Sequence, residues 1–190
     1  MQLTVGVMGS AGGVTSALSG KDVLVERANA LAQAIAKQKL LLLTGATTGI
    51  VYVVGKEAHG AGVFHVGISP ATDSREHVDR YHLPLDACDL IIYTGFGLKG
   101  RNVVLVRSCQ VVLFIAGAMG SLNEFTIAHD EGKVIGCLTG TGGVADEATY
   151  LLRKFSKETG ARVFQHDDPD QLIEFCLQAA ESEANPGARD

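Results

Sequence analysis

No apolar run in this chain reaches the ~18 residues a membrane-spanning helix needs. Lysine and arginine form no run, and the formal charge is −5, so a nucleic-acid surface is not expected. The four cysteines (Cys88, Cys109, Cys137 and Cys176) show neither CxxC nor metal-finger spacing. Cys109 and Cys137 flank expected strands, where a reduced thiol acts as a small hydrophobe. That pattern suits a reduced, cytoplasmic protein. Met1–Met8 is too short for a signal peptide and runs into glycines. Proline is scarce, at 4 residues, and glycine is not: 23 of 190, about 12% against an average near ~7%.

The familiar nucleotide motifs are missing too. Gly6, Gly9, Gly12 and Gly13 do not space as GxGxxG. A dinucleotide fold wants an acid at the end of its second strand, and this chain has Thr44-Gly45 there. No NAD or NADP cofactor is therefore expected. Neither a P-loop lysine motif nor a GxSxG elbow occurs. His77-Val-Asp79-Arg-Tyr-His82 imitates a metal cluster, but no further ligands are spaced to close it. It reads as a solvated loop, and no metal site is expected.

What is present is a regular alternation. At 190 residues, with 46% hydrophobic and 19% charged content, the chain fits one domain with a sizeable core. Expected strands are Leu3–Met8, Leu40–Leu43, Val63–Ile68, Leu90–Tyr93, Val111–Ile115, Val134–Leu138 and Arg162–Phe164. Between them lie expected helices at Asp22–Gln38, Ile50–Gly60, Lys99–Ser108, Ser121–Glu131, Asp146–Thr159 and Pro169–Glu181. Val103–Val106 is β-branched enough for a strand, but a parallel sheet needs a crossover there. Ala71–Asp86 reads as a polar connection. The fold class is α/β: a single Rossmann-like domain over 1–181, with an open, mostly parallel sheet of about seven strands and helices on both faces. Residues 182–190 read as a flexible tail.

Nearly every glycine cluster follows a strand. The loops at Gly9, Gly45, Pro70, Gly95, Gly117 and Gly140 should meet at one sheet edge, where such folds bind ligands. The most telling loop is Gly117-Ala118-Met119-Gly120-Ser121-Leu122-Asn123-Glu124, which follows a buried strand and opens a helix. Small residues admit a ligand to the backbone, and free N–H groups at a helix start favour an anion. Ser121 and Glu124 also fit a capping box, each satisfying the other's backbone donor. The two readings are compatible and both stay open.

These residues resemble the LOG-like Rossmann proteins of the SLOG superfamily, often labelled lysine decarboxylases. The family's Pro-Gly-Gly-x-Gly-Thr-x-x-Glu loop stands here as Ala116 to Glu124, with an arginine, Arg101, sixteen residues before Gly117 (117 − 101). Val7-Met8-Gly9-Ser10 and Thr44-Gly45-Ala46-Thr47-Thr48-Gly49 are similar to its first two glycine loops. The resemblance implies phosphoribohydrolase chemistry: release of free base and ribose 5-phosphate from a nucleoside monophosphate, with Arg101 and Glu124 as the catalytic pair. It also implies a homodimer or higher homo-oligomer. Val103-Val104-Leu105-Val106 adds to that expectation, being too apolar for one face of an exposed helix.

The chain departs from the LOG pattern at Ala116, Ala118, Ser121 and Asn102. The opening Gly-Val-Met-Gly and the Arg-Asn step after Thr94-Gly95-Phe96-Gly97 are similar to the molybdenum cofactor carrier branch, which binds a pterin phosphate without catalysis. A non-catalytic nucleotide-ligand sensor is a further alternative. In each case a small phosphorylated ligand is expected at Gly9, Ser10, Gly12, Gly45, Thr47, Thr48, Gly49, Gly117, Ala118, Met119, Gly120 and Ser121.

Overall fold

The computed structural model describes residues 2–11 and 18–184. Strands β1 (Thr4–Gly9), β2 (Leu41–Thr44), β3 (His65–Ser69), β4 (Leu90–Tyr93), β5 (Val111–Ile115), β6 (Val134–Leu138) and β7 (Arg162–His166) alternate with helices. The helices are α1 (Leu18–Lys37), α2 (Ile50–Gly60), α3 (Ser74–Asp79), α4 (Gly97–Arg107), α5 (Met119–Asp130), α6 (Gly143–Lys154) and α7 (Pro169–Ala184). All strand pairs are parallel, in the order β4-β3-β2-β1-β5-β6-β7. The order reverses between β1 and β5, so a crevice opens beyond Gly9 and Ile115, which share one register step.

The central strands read as continuous apolar runs because both sheet faces are covered. One core joins Val5, Val7, Leu42 and Leu113 to Leu31 and Ile35 of α1, Val51 and Val54 of α2, and Leu172 and Cys176 of α7. The other joins Met8, Val112 and Phe114 to Leu105 of α4, Phe125 of α5 and Ala145 of α6. All four cysteines are free thiols; Cys109, Cys137 and Cys176 are buried and Cys88 is partly so. Among the described residues, no helix is long and apolar enough to cross a membrane.

Several boundaries differ from expectation. β1, β2 and β3 run one residue past their apolar stretches, because Gly9, Thr44 and Ser69 still pair in the ladder. β7 continues to His166 for the same reason. The polar connection contains α3, capped by the Asp73 carboxylate accepting from Glu76 N at 2.8 Å. His77 is not in a solvated loop: it is fully buried, bonded to Ser69 Oγ (2.8 Å) and to the Pro84 carbonyl (3.1 Å). α6 ends at Lys154, short of Thr159, and α7 continues to Ala184, into the expected tail. The apolar stretch of α4 also behaves differently. Leu105 and Val106 are buried in this chain's own core, while Val103 and Val104 are only partly buried, so half of the stretch is already covered without a partner.

Candidate functional site

The crevice at the strand-order reversal is a cleft of about 270 Å³. Its lining comes from the loops after β1 and β2 and from the starts of α4 and α5. The loops at Pro70 and Gly140 reach the same sheet edge but do not line it. The Gly140 loop braces its neighbour instead. Val144 N and Ala145 N donate to the carbonyls of Gly117 (3.1 Å) and Ala116 (3.0 Å). Gly143 must lack a side chain, since a Cβ there would strike the Gly117 carbonyl.

α5 supplies the anion-attracting element. It starts at Met119, two residues earlier than expected, with Ala118 as its N-cap and no side-chain cap. The expected capping box is therefore not formed. Ser121 lies inside the first turn, and Glu124 is far enough along to face the cleft. The uncapped N–H groups carry the positive end of the helix dipole. Gly120 lines the cleft beside them, and a Cβ there would meet nothing within 4 Å. That space is open to a ligand. Ala116 has φ 54, the left-handed region. The family signature's proline is fixed near ~−65°, so this turn could not hold it.

Three loops are tied together beside the cleft, those after β1, β2 and β5. Gly117 N donates to Ser10 Oγ (3.2 Å), and Ile50 N donates to the Ser10 carbonyl (3.0 Å). The Thr48 hydroxyl donates to the Ala11 carbonyl at 2.7 Å. A Cβ on Gly49 (φ 75) would strike that same chain segment. Thr48 and Gly49 thus hold loops together and do not line the cleft.

Arg101 and Glu124 are the buried charges of the site, each only 7% exposed. Arg101 Nε is buried without a hydrogen-bond partner. Burial opposes the charge of its guanidinium, and Glu124 favours it. Glu124 is pushed up to about 7 by burial, with Arg101 and Lys99 pulling the other way. Asn102 joins this group. With its amide nitrogen facing acceptors it donates to Glu124 Oε1 (3.1 Å) and to the Leu98 carbonyl (3.0 Å). The opposite orientation would set its oxygen against both acceptors.

Of the residues expected at the site, Gly9, Ser10, Gly45, Thr47, Arg101, Ala118, Gly120, Ser121 and Glu124 line the cleft. Thr48, Gly49, Gly117 and Met119 do not. Gly117 supports the turn, and Met119 is 75% exposed. Gly12 lies outside the described residues. Sequence reasoning missed Lys99 as a cleft residue and Asn102 as the partner of Glu124. The helical offset from Arg101 to its neighbours could have flagged them, but their orientation depends on how α4 packs. Among the described residues no cluster could hold a metal ion.

The model of the SLOG cluster4 family matches residues 2–173. The chain belongs to the SLOG cluster4 family. An uncharacterized protein of Archaeoglobus fulgidus is 25% identical over 146 residues, 77% of this chain and 80% of the relative. Among solved structures, the molybdenum cofactor binding protein of Rippkaea orientalis is 25% identical, with a TM-score of 0.69 over 94% of this chain and 98% of that one. The structural-genomics target TM1055 is 24% identical, with a TM-score of 0.79 over 93% and 99%. The molybdenum cofactor carrier protein of Chlamydomonas reinhardtii is 24% identical, with a TM-score of 0.71 over 94% and 98%. The last two likenesses concern this SLOG chain's fold alone.

Proposed function

We propose that the cleft binds a small phosphorylated, nucleotide-like ligand, and that this SLOG protein carries or senses the ligand without cleaving it. One observation carries the proposal: Arg101 is buried in the cleft wall with an unpartnered Nε, close to an uncapped helix start. A buried N–H donor without a hydrogen-bond partner is costly, and an anion in the cleft would add to the Glu124 charge that already favours the Arg101 cation. The α5 start would hold phosphate oxygens, and Arg101 would add charge-assisted hydrogen bonds. The non-catalytic reading has support in the molybdenum cofactor binding protein of Rippkaea orientalis, which matches nearly end to end.

A specific observation favours a second reading. Arg101 and Glu124 line one cleft, as the phosphoribohydrolase pair of the LOG-like proteins would. Calorimetry with a panel of nucleoside monophosphates and a pterin phosphate, followed by chromatography for free base, separates the two. The expected result is binding without base release, weakened roughly tenfold to a hundredfold in Arg101→Ala. Release of base, abolished in Glu124→Ala with affinity kept, would establish the hydrolase instead. No binding of any phosphorylated probe would overturn both.

A further inference from the structure

Gly45 lines the cleft beside Arg101, and its backbone is not in the left-handed region, so its conformation alone does not demand glycine. What excludes a side chain there is Arg101. A Cβ on Gly45 would overlap Nη1 of the guanidinium and lie 2.5 Å from Cζ and 2.9 Å from Nη2. We infer that Gly45 is a positioning residue, whose missing side chain is the slot that sets the Arg101 guanidinium in the cleft.

The loop itself cannot easily move aside. Thr44 Oγ1 accepts from Ala46 N (3.2 Å) and bonds His65 Nε2 (2.8 Å). His65 Nδ1 in turn bonds the Ala87 carbonyl. This buried chain of hydrogen bonds holds Thr44-Gly45-Ala46 in place. An added methyl is therefore relieved by the Arg101 head group, the free end of a long side chain. Gly45→Ala would leave the fold intact and displace the guanidinium. Gly45 would not act on the ligand directly; it would act through Arg101.

The ligand arm of the test rests on the anion-binding reading above, so a second arm needs no ligand. Arg101 pulls the Glu124 carboxyl downward, against burial. Moving the guanidinium must therefore move the Glu124 titration midpoint, read by carbon NMR of the carboxyl. The expected result is a shifted midpoint in Gly45→Ala and no further shift when Gly45→Ala is added to Arg101→Ala. An unchanged midpoint in Gly45→Ala would overturn the inference, whatever the protein binds. In the ligand arm, AMP titrated by calorimetry should bind Gly45→Ala at least tenfold more weakly. The double variant should bind no more weakly than Arg101→Ala, because contacting residues do not add. Losses that multiply would overturn it. Should Gly45→Ala fail to fold, folding of the double variant supports the slot, and failure of both overturns it.

Discussion

Arg101 and His65 both border the Thr44-Gly45-Ala46 loop, and both are buried. His65 has a partner on each ring nitrogen: Thr44 Oγ1 on one and the Ala87 carbonyl on the other. Desolvation lowers it to about 4, so it is a neutral, paired core residue at physiological pH. Arg101 faces the cleft with a buried nitrogen unpaired. Burial alone does not mark a functional group. The unpaired donor is what the proposed site rests on, because a folded protein rarely leaves one without a reason. Glu124 sharpens the contrast: burial raises its carboxyl to about 7, the opposite direction from His65.

The strongest way to break this comparison is to remove the paired histidine. His65→Ala should lower stability by about 4 kcal/mol, combining a cavity with an orphaned hydroxyl and carbonyl. Denaturant unfolding checks this. A loss below about 1 kcal/mol would mean that His65 is no structural anchor.

A subtler effect comes from the opposed titrations. His65 has its ordinary value of 6.5 when unfolded and about 4 when folded. The unfolded chain therefore binds more protons between those values, and stability falls by about 3 kcal/mol as pH drops from 6.5 to 4. Glu124 goes from 4.5 unfolded to about 7 folded. Here the folded chain binds more protons, and about 3 kcal/mol is lost as pH rises from 4.5 to 7. Where the windows overlap the slopes offset each other. Glu124→Gln removes the second slope, so its stability should climb steeply with pH between 4.5 and 6.5, where the wild type stays nearly flat. Unfolding curves across that range decide the matter, and identical profiles would refute the opposition.

The smallest expected effect concerns Thr48, which ties loops rather than facing the cleft. Thr48→Ala should cost about 1 kcal/mol of stability, the worth of one hydrogen bond. AMP affinity should stay within about twofold, well under the ~1.4 kcal/mol of a tenfold change. A tenfold loss of affinity in the same calorimetry would place it among the ligand contacts.

Much of this was legible in the chain because apolar runs and glycine punctuation report local backbone needs. Val111–Ile115 and Val134–Leu138 were bounded correctly, since parallel strands buried on both faces leave no polar alternation to misread. The helix at 74–79 was missed, though Asp73 and Glu76 carry a capping-box spacing. In Ser121-Leu-Asn-Glu124 the same spacing misled. The backbone turned at Ala116 and Gly117, where φ is positive, and helix α5 began before Ser121.

The sequence by itself determined the alternation of elements, the sheet class and the residues gathered at its glycine-rich edge. Period and punctuation are local properties, and right-handed crossovers leave little freedom in assembling them. Only the tertiary structure decided which of those residues face the cleft and which merely hold it together. Thr47 lines it while Thr48 bonds Ala11, and Arg101 Nε is left without a hydrogen bond while His65 is satisfied on both nitrogens. Adjacent residues in a loop point in unrelated directions, and a donor's partner lies far away in the chain. The pairing of buried polar groups is fixed only when the elements pack.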